Sequence, residues 1–507
     1  MAGNKDCVLA VDIGTSSVRC MVFVPDGTIH ARSQIKYPTI KPKPYFEEQD
    51  PDLVRDETLA AIDECLRQST AFPERIAAIA FSSQMYSVFP VDLRGKPLYG
   101  NILWCDARAE AQAEALKALP VAEELYRVTG CPVNSIYPLA KLLWLREKEP
   151  DVFKKAAHFI SIKEYITEYL TMEYAVDCSM MSGTGMCDIA NYCWDLKALE
   201  LTGIGAQKLS RPVSADEALP FRNTALLHRW NLPEDVAVFS GGGDGPLANL
   251  GSGASKPGAV NIDLGTSGAA RVVVDRPLDG GSGGLWCYCL TPSQWTLGGI
   301  LTNVGNAYQW LCECLTGFTS GGPTEGEMSR LDVAANDIPP GAEGVIFLPY
   351  LRKPRSPWWD SSLKGCILGL RSDHHAGHIT RALFEAIAYD AKVIIESMNR
   401  LSPIKKEIVV TGGFAKNHFM AQLLSDVFGR EVAVPENNEG SIAGAALIAL
   451  KGSGLTPDYT FTGETNRRYS RFTPNVKNAK RYAELGSEYV KTVAVFQNFW
   501  QQQGAGK

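Results

Sequence analysis

Several common signals are missing from this 507-residue chain. No apolar stretch approaches the roughly 18 residues that span a bilayer. The first residues, MAGNKDC, lead straight into a strand pattern, with no signal-peptide h-region. No basic run with interleaved aromatics occurs, and the net charge is −6, so neither a membrane nor a nucleic-acid partner is expected. The 13 Cys are scattered. Cys287/Cys289 and Cys312/Cys314 form C-x-C pairs, but no C-x-x-C or Cys/His metal spacing appears. Reduced, mostly buried thiols are expected, as in a cytoplasmic protein. There is no G-x-x-x-x-G-K-[ST] phosphate loop. Gly251–Gly253 opens a G-x-G-x-x-Lys run that fails the dinucleotide fingerprint at its last glycine. Neither H-E-x-x-H nor G-x-S-x-G argues for hydrolase chemistry.

What is present is a pattern that occurs twice. Val-Asp-Ile-Gly-Thr-Ser runs from Val11 to Ser16, and Ile-Asp-Leu-Gly-Thr-Ser from Ile262 to Ser267. Each copy lies between apolar runs and reads as strand, tight glycine turn, strand. Gly14 and Gly265 are expected to let the turn adopt φ > 0. Backbone N–H groups and the hydroxyls of Thr15, Ser16, Thr266 and Ser267 then face one point, which suits phosphate oxygens. Two copies half a chain apart imply a duplicated fold gripping a polyphosphate from both sides. Asp12 would be repelled by phosphate unless a cation lay between, so it is assigned to Mg²⁺ through water. A turn Asp capping its own backbone is the alternative. Arg19, past the first turn, is a candidate to reach a phosphate, with a surface Arg as the alternative.

A length of 507 residues suits two domains. Residues 8–36 read as a meander, Pro51–Gln68 and Ala376–Leu401 as helices, and Gly298–Leu315 as a glycine-led helix. The tail from about 475 reads as an amphipathic helix with Tyr482, Leu485, Tyr489, Val493 and Phe496 on one side, fraying over Gln501–Lys507. Strands alternating with helices, with a hairpin opening each half, give an α/β protein with mixed sheets. Asp244 follows the apolar strand Val236–Ser240 and a Gly-Gly-Gly run. Those glycines allow close backbone approach and leave its carboxylate exposed in a cleft, where it can act as general base for phosphoryl transfer. A helix N-cap is the alternative. Thr411-Gly412-Gly413-Phe414-Ala415-Lys416-Asn417 is a strand-to-helix glycine turn suited to the adenosine side of a nucleotide.

These residues together resemble the FGGY carbohydrate kinases of the actin-like ATPase superfamily, from about Val8 to Leu450. Asp12–Ser16 looks like the first phosphate motif, Leu264–Gly268 the second, Gly242–Asp244 the catalytic-base motif, and Gly412–Asn417 with Ser441–Ala446 the adenosine motif. Ile102–Arg108 is similar to the family's I-L-W-x-D-x-R sugar segment. The resemblance implies two actin-like (ribonuclease H-like) domains with a cleft between them: 1–255 for sugar, 256–460 for nucleotide, and a mainly helical extension over 461–507. It implies ATP and Mg²⁺ as cofactors, a sugar held near Met85, Tyr86, Trp104, Asp106 and Arg108, Asp244 as base, Gly14, Thr15, Ser16, Arg19, Gly265, Thr266, Ser267, Gly412, Gly413 and Asn417 at the nucleotide, and Asp12 at the metal. Phe81–Ser87, Ile162–Ile166, Trp286–Thr291 and Phe347–Leu351 are most similar to gluconate kinases, which implies gluconate as substrate. A xylulose or other ketose or polyol kinase is the alternative, and a non-enzymatic actin- or chaperone-like nucleotide switch the alternative of another class. Tyr86 stands where many sugar kinases have His. Leu351–Pro357 departs from the usual L-x-G-E-R-x-P and is strongly basic. Arg108, Lys141 and Lys163 are the candidate partners for a substrate carboxylate. Oligomeric state is unread, and a homodimer stays open.

Overall fold

The computed structural model describes residues 5–68, 70–281, 284–316, 324–436, 439–463 and 468–504. The first half is built on a sheet of β1 (Cys7–Ile13), β2 (Ser17–Phe23), β3 (Ile29–Lys36), β4 (Ile76–Ser83), β5 (Ala218–Pro220) and β6 (Ala237–Gly243), in the order β5-β6-β4-β1-β2-β3. The second half repeats the theme with β7 (Val260–Leu264), β8 (Gly268–Val274), β9 (Trp286–Thr291), β10 (Gln294–Leu301), β11 (Ile408–Thr411), β12 (Val432–Pro435) and β13 (Tyr469–Phe472), in the order β9-β10-β8-β7-β11-β12-β13. In both sheets the opening hairpin is antiparallel and its first strand pairs in parallel with a later one, β1 with β4 and β7 with β11. These are the expected mixed sheets.

Every residue of β1 is buried because helices cover both faces. Leu9, Val11 and Ile13 pack with Val54 and Ile62 of α1 (Pro51–Leu66). Val8 and Ala10 point the other way, into a core shared with Leu247 and Leu250 of α2 (Asp244–Gly251) and Ile442, Ala446 and Leu450 of α3 (Gly440–Gly452). A helix late in the chain is thus laid on the first sheet. Helices α2 and α3 cross where each has a glycine. A Cβ on Gly251 would lie 1.8 Å from the Gly440 carbonyl oxygen, and one on Gly444 2.1 Å from that of Leu247. Only glycine permits that approach.

The helix at Ala376–Leu401 forms as expected, and Pro51–Leu66 ends close to its expected limit. The tail helix runs Val476–Gly504, with Tyr482, Tyr489 and Val493 buried and Leu485 and Phe496 against the core. Residues 505–507 of the expected frayed end lie outside the described residues. The glycine-led helix expected at Gly298–Leu315 is corrected. Residues 294–301 form β10, and the helix is Gly305–Thr316. The glycines serve packing: a Cβ on Gly298 would press on the Ala270 carbonyl and the Trp286 ring, at 2.5 and 2.9 Å. No described helix is long and apolar enough to cross a membrane.

Candidate active site

Each hairpin closes its turn through the glycine N–H, the first onto the residue three ahead and the second onto the residue two ahead. The Gly14 N–H donates to the Ser17 carbonyl at 2.9 Å, and the Gly265 N–H to the Ser267 carbonyl at 2.9 Å. The expectation of φ > 0 at Gly14 and Gly265 is not met, since neither lies in the left-handed region. Space is what the glycines supply. A Cβ on Gly14 would sit 3.1 Å from the Ser17 oxygen, and one on Gly265 3.5 Å from the Ser267 oxygen. Gly305 and Asn306, opening the helix 305–316, donate their N–H groups to the carbonyls of Gly265 and Thr266 at 3.1 and 2.9 Å, which seats a helix N-terminus beside the second turn. Asp12 and Arg19 face each other across β1 and β2 and form an ion pair. The other Asp12 oxygen accepts a hydrogen bond from Ser441 of α3 at 3.1 Å, tying the first turn to the second half.

Asp244 is delivered by the glycine run. Pairing of β6 with β4 shifts register between Phe239 and Gly242, a bulge with Gly241 at φ 72°, and bulges re-aim the chain. The Gly243 N–H donates to Ser179 Oγ at 3.0 Å, and Met85 fills the space a Gly243 Cβ would need, 2.6 Å from its Cγ. Asp244 then opens α2 from its first turn, with Gly243 as the cap. The cap reading of Asp244 is thereby set aside, and one carboxylate oxygen accepts only the adjacent Gly245 N–H at 2.7 Å among the described contacts. Burial, with Asp12 and then Asp263 adding repulsion, pushes its pKa up to about 6, against the pull of Arg271. Beneath this segment Asp177 pairs with Lys163, both fully buried. It also accepts Ser240 Oγ at 2.9 Å and the Met180 N–H at 2.9 Å.

Asp244 opens onto a cavity of about 220 Å³ walled by Thr15, Met85, Tyr86, Trp104, Asp263, Arg271, Trp286, Tyr288 and Arg355, among others. That is smaller than the ~300–1,000 Å³ of drug-sized sites. Trp104 is oriented by its indole N–H, which donates to Thr15 Oγ1 at 2.9 Å; Thr15 in turn donates to Gln84 at 3.0 Å. Tyr86, at φ 69°, points its hydroxyl to Tyr288 at 3.3 Å, and Trp286 stacks on Tyr288 with centroids 4.1 Å apart. Met85, Tyr86 and Trp104 therefore line one cavity together with Asp244. Trp286 and Tyr288, which the sequence marks only within the gluconate-kinase-like run Trp286–Thr291, come from a strand of the other half, in a run too apolar to mark a site.

The cation expectations need correction. Arg108 does not reach the cavity. Its side chain is sealed between Asp106, Glu48 and the rings of Phe46 and Trp144. Asp106 is spent on that pair and on the Glu47 N–H, at 2.6 Å; it borders instead a neighbouring cavity shared with Thr266, Ser267 and Arg355. Lys141 is fully buried and donates to the carbonyls of Tyr86 and Leu103 at 2.7 and 2.8 Å, its pKa pushed down to about 7 by burial. Lys163 is held by Asp177. The cations on the cavity wall are Arg271 and Arg355. Arg355, the inward member of the basic loop, lies over the Trp104 ring at 5.5 Å, while Arg352 and Lys353 are exposed.

On the nucleotide side, Gly412 has φ 92° and packs so tightly on Leu264 that a Cβ would lie 2.4 Å from its carbonyl oxygen, whereas nothing lies within 4 Å of a Cβ on Gly413. One glycine allows packing and the next presents an open face. Asn417 caps the helix His418–Phe428 through Oδ1, and its Nδ2 donates to Asp332 at 2.9 Å; its amide is thus engaged within the protein. Elsewhere, Glu343, His374 and His378 place possible ligand atoms within 4.8 Å. Nδ1 of each His accepts a backbone N–H, from Arg371 and His375. The neutral rings therefore carry their proton on Nε2, the wrong tautomer for coordination there.

Residues 7–251 match the model for the N-terminal domain of the FGGY family of carbohydrate kinases, and residues 260–453 that for its C-terminal domain. The chain is 32% identical to a gluconokinase of Bacillus subtilis (strain 168) over 98% of this chain and 97% of that one. It is 28% identical to a xylulose kinase of Lactococcus lactis subsp. lactis, over 94% of each. Among solved structures, a gluconate kinase and a ligand-bound xylulose kinase, both from Lactobacillus acidophilus, each superpose with TM-score 0.91 at 27% identity, over 98% of this chain and 99% of theirs. Family models covering both halves, with the paired turns and Asp244 at their junction, make this chain a member of the FGGY family of carbohydrate kinases.

Proposed function

We propose that this kinase transfers the γ-phosphoryl group of ATP to the terminal hydroxyl of gluconate, giving 6-phosphogluconate. The carrying observation is Asp244: a carboxylate with few partners, raised to a pKa of about 6, on a small cavity between two matching glycine turns. At neutral pH it is ionised yet basic enough to accept a proton. The substrate hydroxyl gives its proton to Asp244 as its oxygen bonds to the γ-phosphorus. The bond from that phosphorus to the bridging oxygen breaks, and ADP leaves with that electron pair. The turns at Gly14–Ser16 and Gly265–Ser267 hold the phosphates, with Arg19 on the first side and Gly412–Gly413 beside adenosine. Positioning and charge stabilisation supply most of the rate.

Three carboxylates meet here, Asp12 and Asp263 both acting on Asp244 across this cleft. They do not converge on a direct ligand set. Such an excess of negative charge beside a phosphate site fits a divalent cation held through water, Mg²⁺ at Asp12. When bound, it would neutralise charge on the phosphates. Thirteen free thiols, nine of them buried, suit a reducing cytoplasm.

Gluconate is favoured over xylulose by the gluconokinase relatives, at 32% against 28% identity. Xylulose remains the second reading, because the two Lactobacillus structures superpose equally well. ADP release measured over gluconate, xylulose, ribulose and glycerol decides. Gluconate should show the highest kcat/KM; a neutral ketose or polyol as best substrate, with gluconate inert, overturns the substrate and leaves the kinase.

A further inference from the structure

The two hairpins differ in one respect. In the first, Arg19 stands directly opposite Asp12 and pairs with it. In the second, the residue opposite Asp263 is Ala269. The arginine, Arg271, stands two residues further along the same face, opposite Asn261. That displacement carries it ~7 Å away from the phosphate turn. The next strands continue the row: Arg271 is opposite Gly298, and Gly298 is opposite Trp286. Opposed residues share a face, so Arg271 and Trp286 project into the cavity on either side of a glycine, and both line it.

The guanidinium has little to hold. Its Nη1 lies 3.5 Å from Asn261 Oδ1, and its Nε is buried with no partner. Among the described residues no carboxylate oxygen comes within 4.0 Å of it, in contrast to Arg19. It packs against the backbone beside the base, 3.2 Å from the position of a Cβ on Gly245. A buried donor left empty is costly, and a fork of parallel N–H groups matches an oxyanion. The other cation on the wall, Arg355, already lies on Trp104 and donates to its carbonyl at 3.4 Å.

We propose that Arg271 reads the carboxylate of an acidic sugar substrate and so sets the preference for an aldonate over a neutral polyol. This rests on the gluconate reading above. The test measures dissociation constants of gluconate, the neutral hexitol glucitol and ATP·Mg²⁺ by tryptophan fluorescence, for the wild type, Arg271→Met and Arg271→Lys. Arg271→Met should weaken gluconate about 10–100-fold and change glucitol and ATP by less than about threefold. Arg271→Lys, which keeps the charge but loses the fork, should fall between. Equal losses for gluconate and glucitol would make the role structural, and a loss confined to ATP would make it phosphate binding; either overturns the proposal. A loss of discrimination in Arg355→Gln with none in Arg271→Met also overturns it. Should the Met variant not fold, unchanged discrimination in the Lys variant refutes it alone. A wild type that does not phosphorylate gluconate defeats the substrate reading instead, a separate outcome.

Discussion

Replacing Asp244 by Asn tests the base and its electrostatics together. The native carboxyl titrates at about 6, against 3.8 for an unperturbed Asp. Between those values the folded state keeps a proton that the unfolded state has lost, so native stability falls as pH rises through the window. Two pKa units at 1.36 kcal/mol each put the cost of ionised Asp244 at about 3 kcal/mol above pH 6. Asn has the same shape and no charge to desolvate or to repel Asp12 and Asp263. The variant should therefore be more stable than wild type at pH 7.5, by up to about 3 kcal/mol, and the gain should vanish near pH 4. Losing the base should lower kcat about 10²–10⁴-fold while ATP still binds. Wild-type kcat/KM should fall on the acid side of about pH 6, where Asp244 takes up its proton. Equilibrium denaturation of both proteins at pH 7.5 and about 4, calorimetric titration with ATP, and ADP release across about pH 5–8 give these quantities. An Asn variant no more stable than wild type at pH 7.5 would refute the buried-charge argument. One retaining near-native kcat would refute the role of the base.

Gly265→Val should fold normally, because a Cβ there meets only ordinary contact with the Ser267 oxygen, yet its methyls occupy the phosphate side. Calorimetric titration should show ATP affinity down by at least about tenfold with gluconate affinity little changed. Lys163→Met removes one member of a fully buried pair and should cost about 3–5 kcal/mol. Urea denaturation reads that loss, and adding Asp177→Asn to the same chain should recover part of it; no recovery would mean that packing, not the stranded charge, set the cost.

Much of the site was legible because its chemistry is local. The paired Asp-x-Gly-Thr-Ser turns and the Gly-Gly-Gly-Asp run each bring their functional atoms within a few residues, and glycine where a Cβ cannot fit is a signal visible in one dimension. The long helices were legible for a like reason, since apolar spacing repeats within the element itself. The misreadings fall where meaning depends on a neighbour. Gly298 and Gly299 look like helix punctuation, but they are strand glycines under Trp286, Ser356 and Ile394. Arg108, Lys141 and Lys163 look like available cations until Asp106, two carbonyls and Asp177 are found against them. Composition and spacing determined the α/β class, the duplicated Asp-x-Gly-Thr-Ser turns and the glycine run that carries Asp244. Tertiary structure decided which cations remain unpaired, that Trp286 and Tyr288 of the second half wall a cavity opened by Met85 and Tyr86 of the first, and that α3 is laid on the first sheet. Pairing and burial are properties of residues hundreds of positions apart, brought together only when strand register and the glycine crossing of α2 and α3 set the two halves face to face.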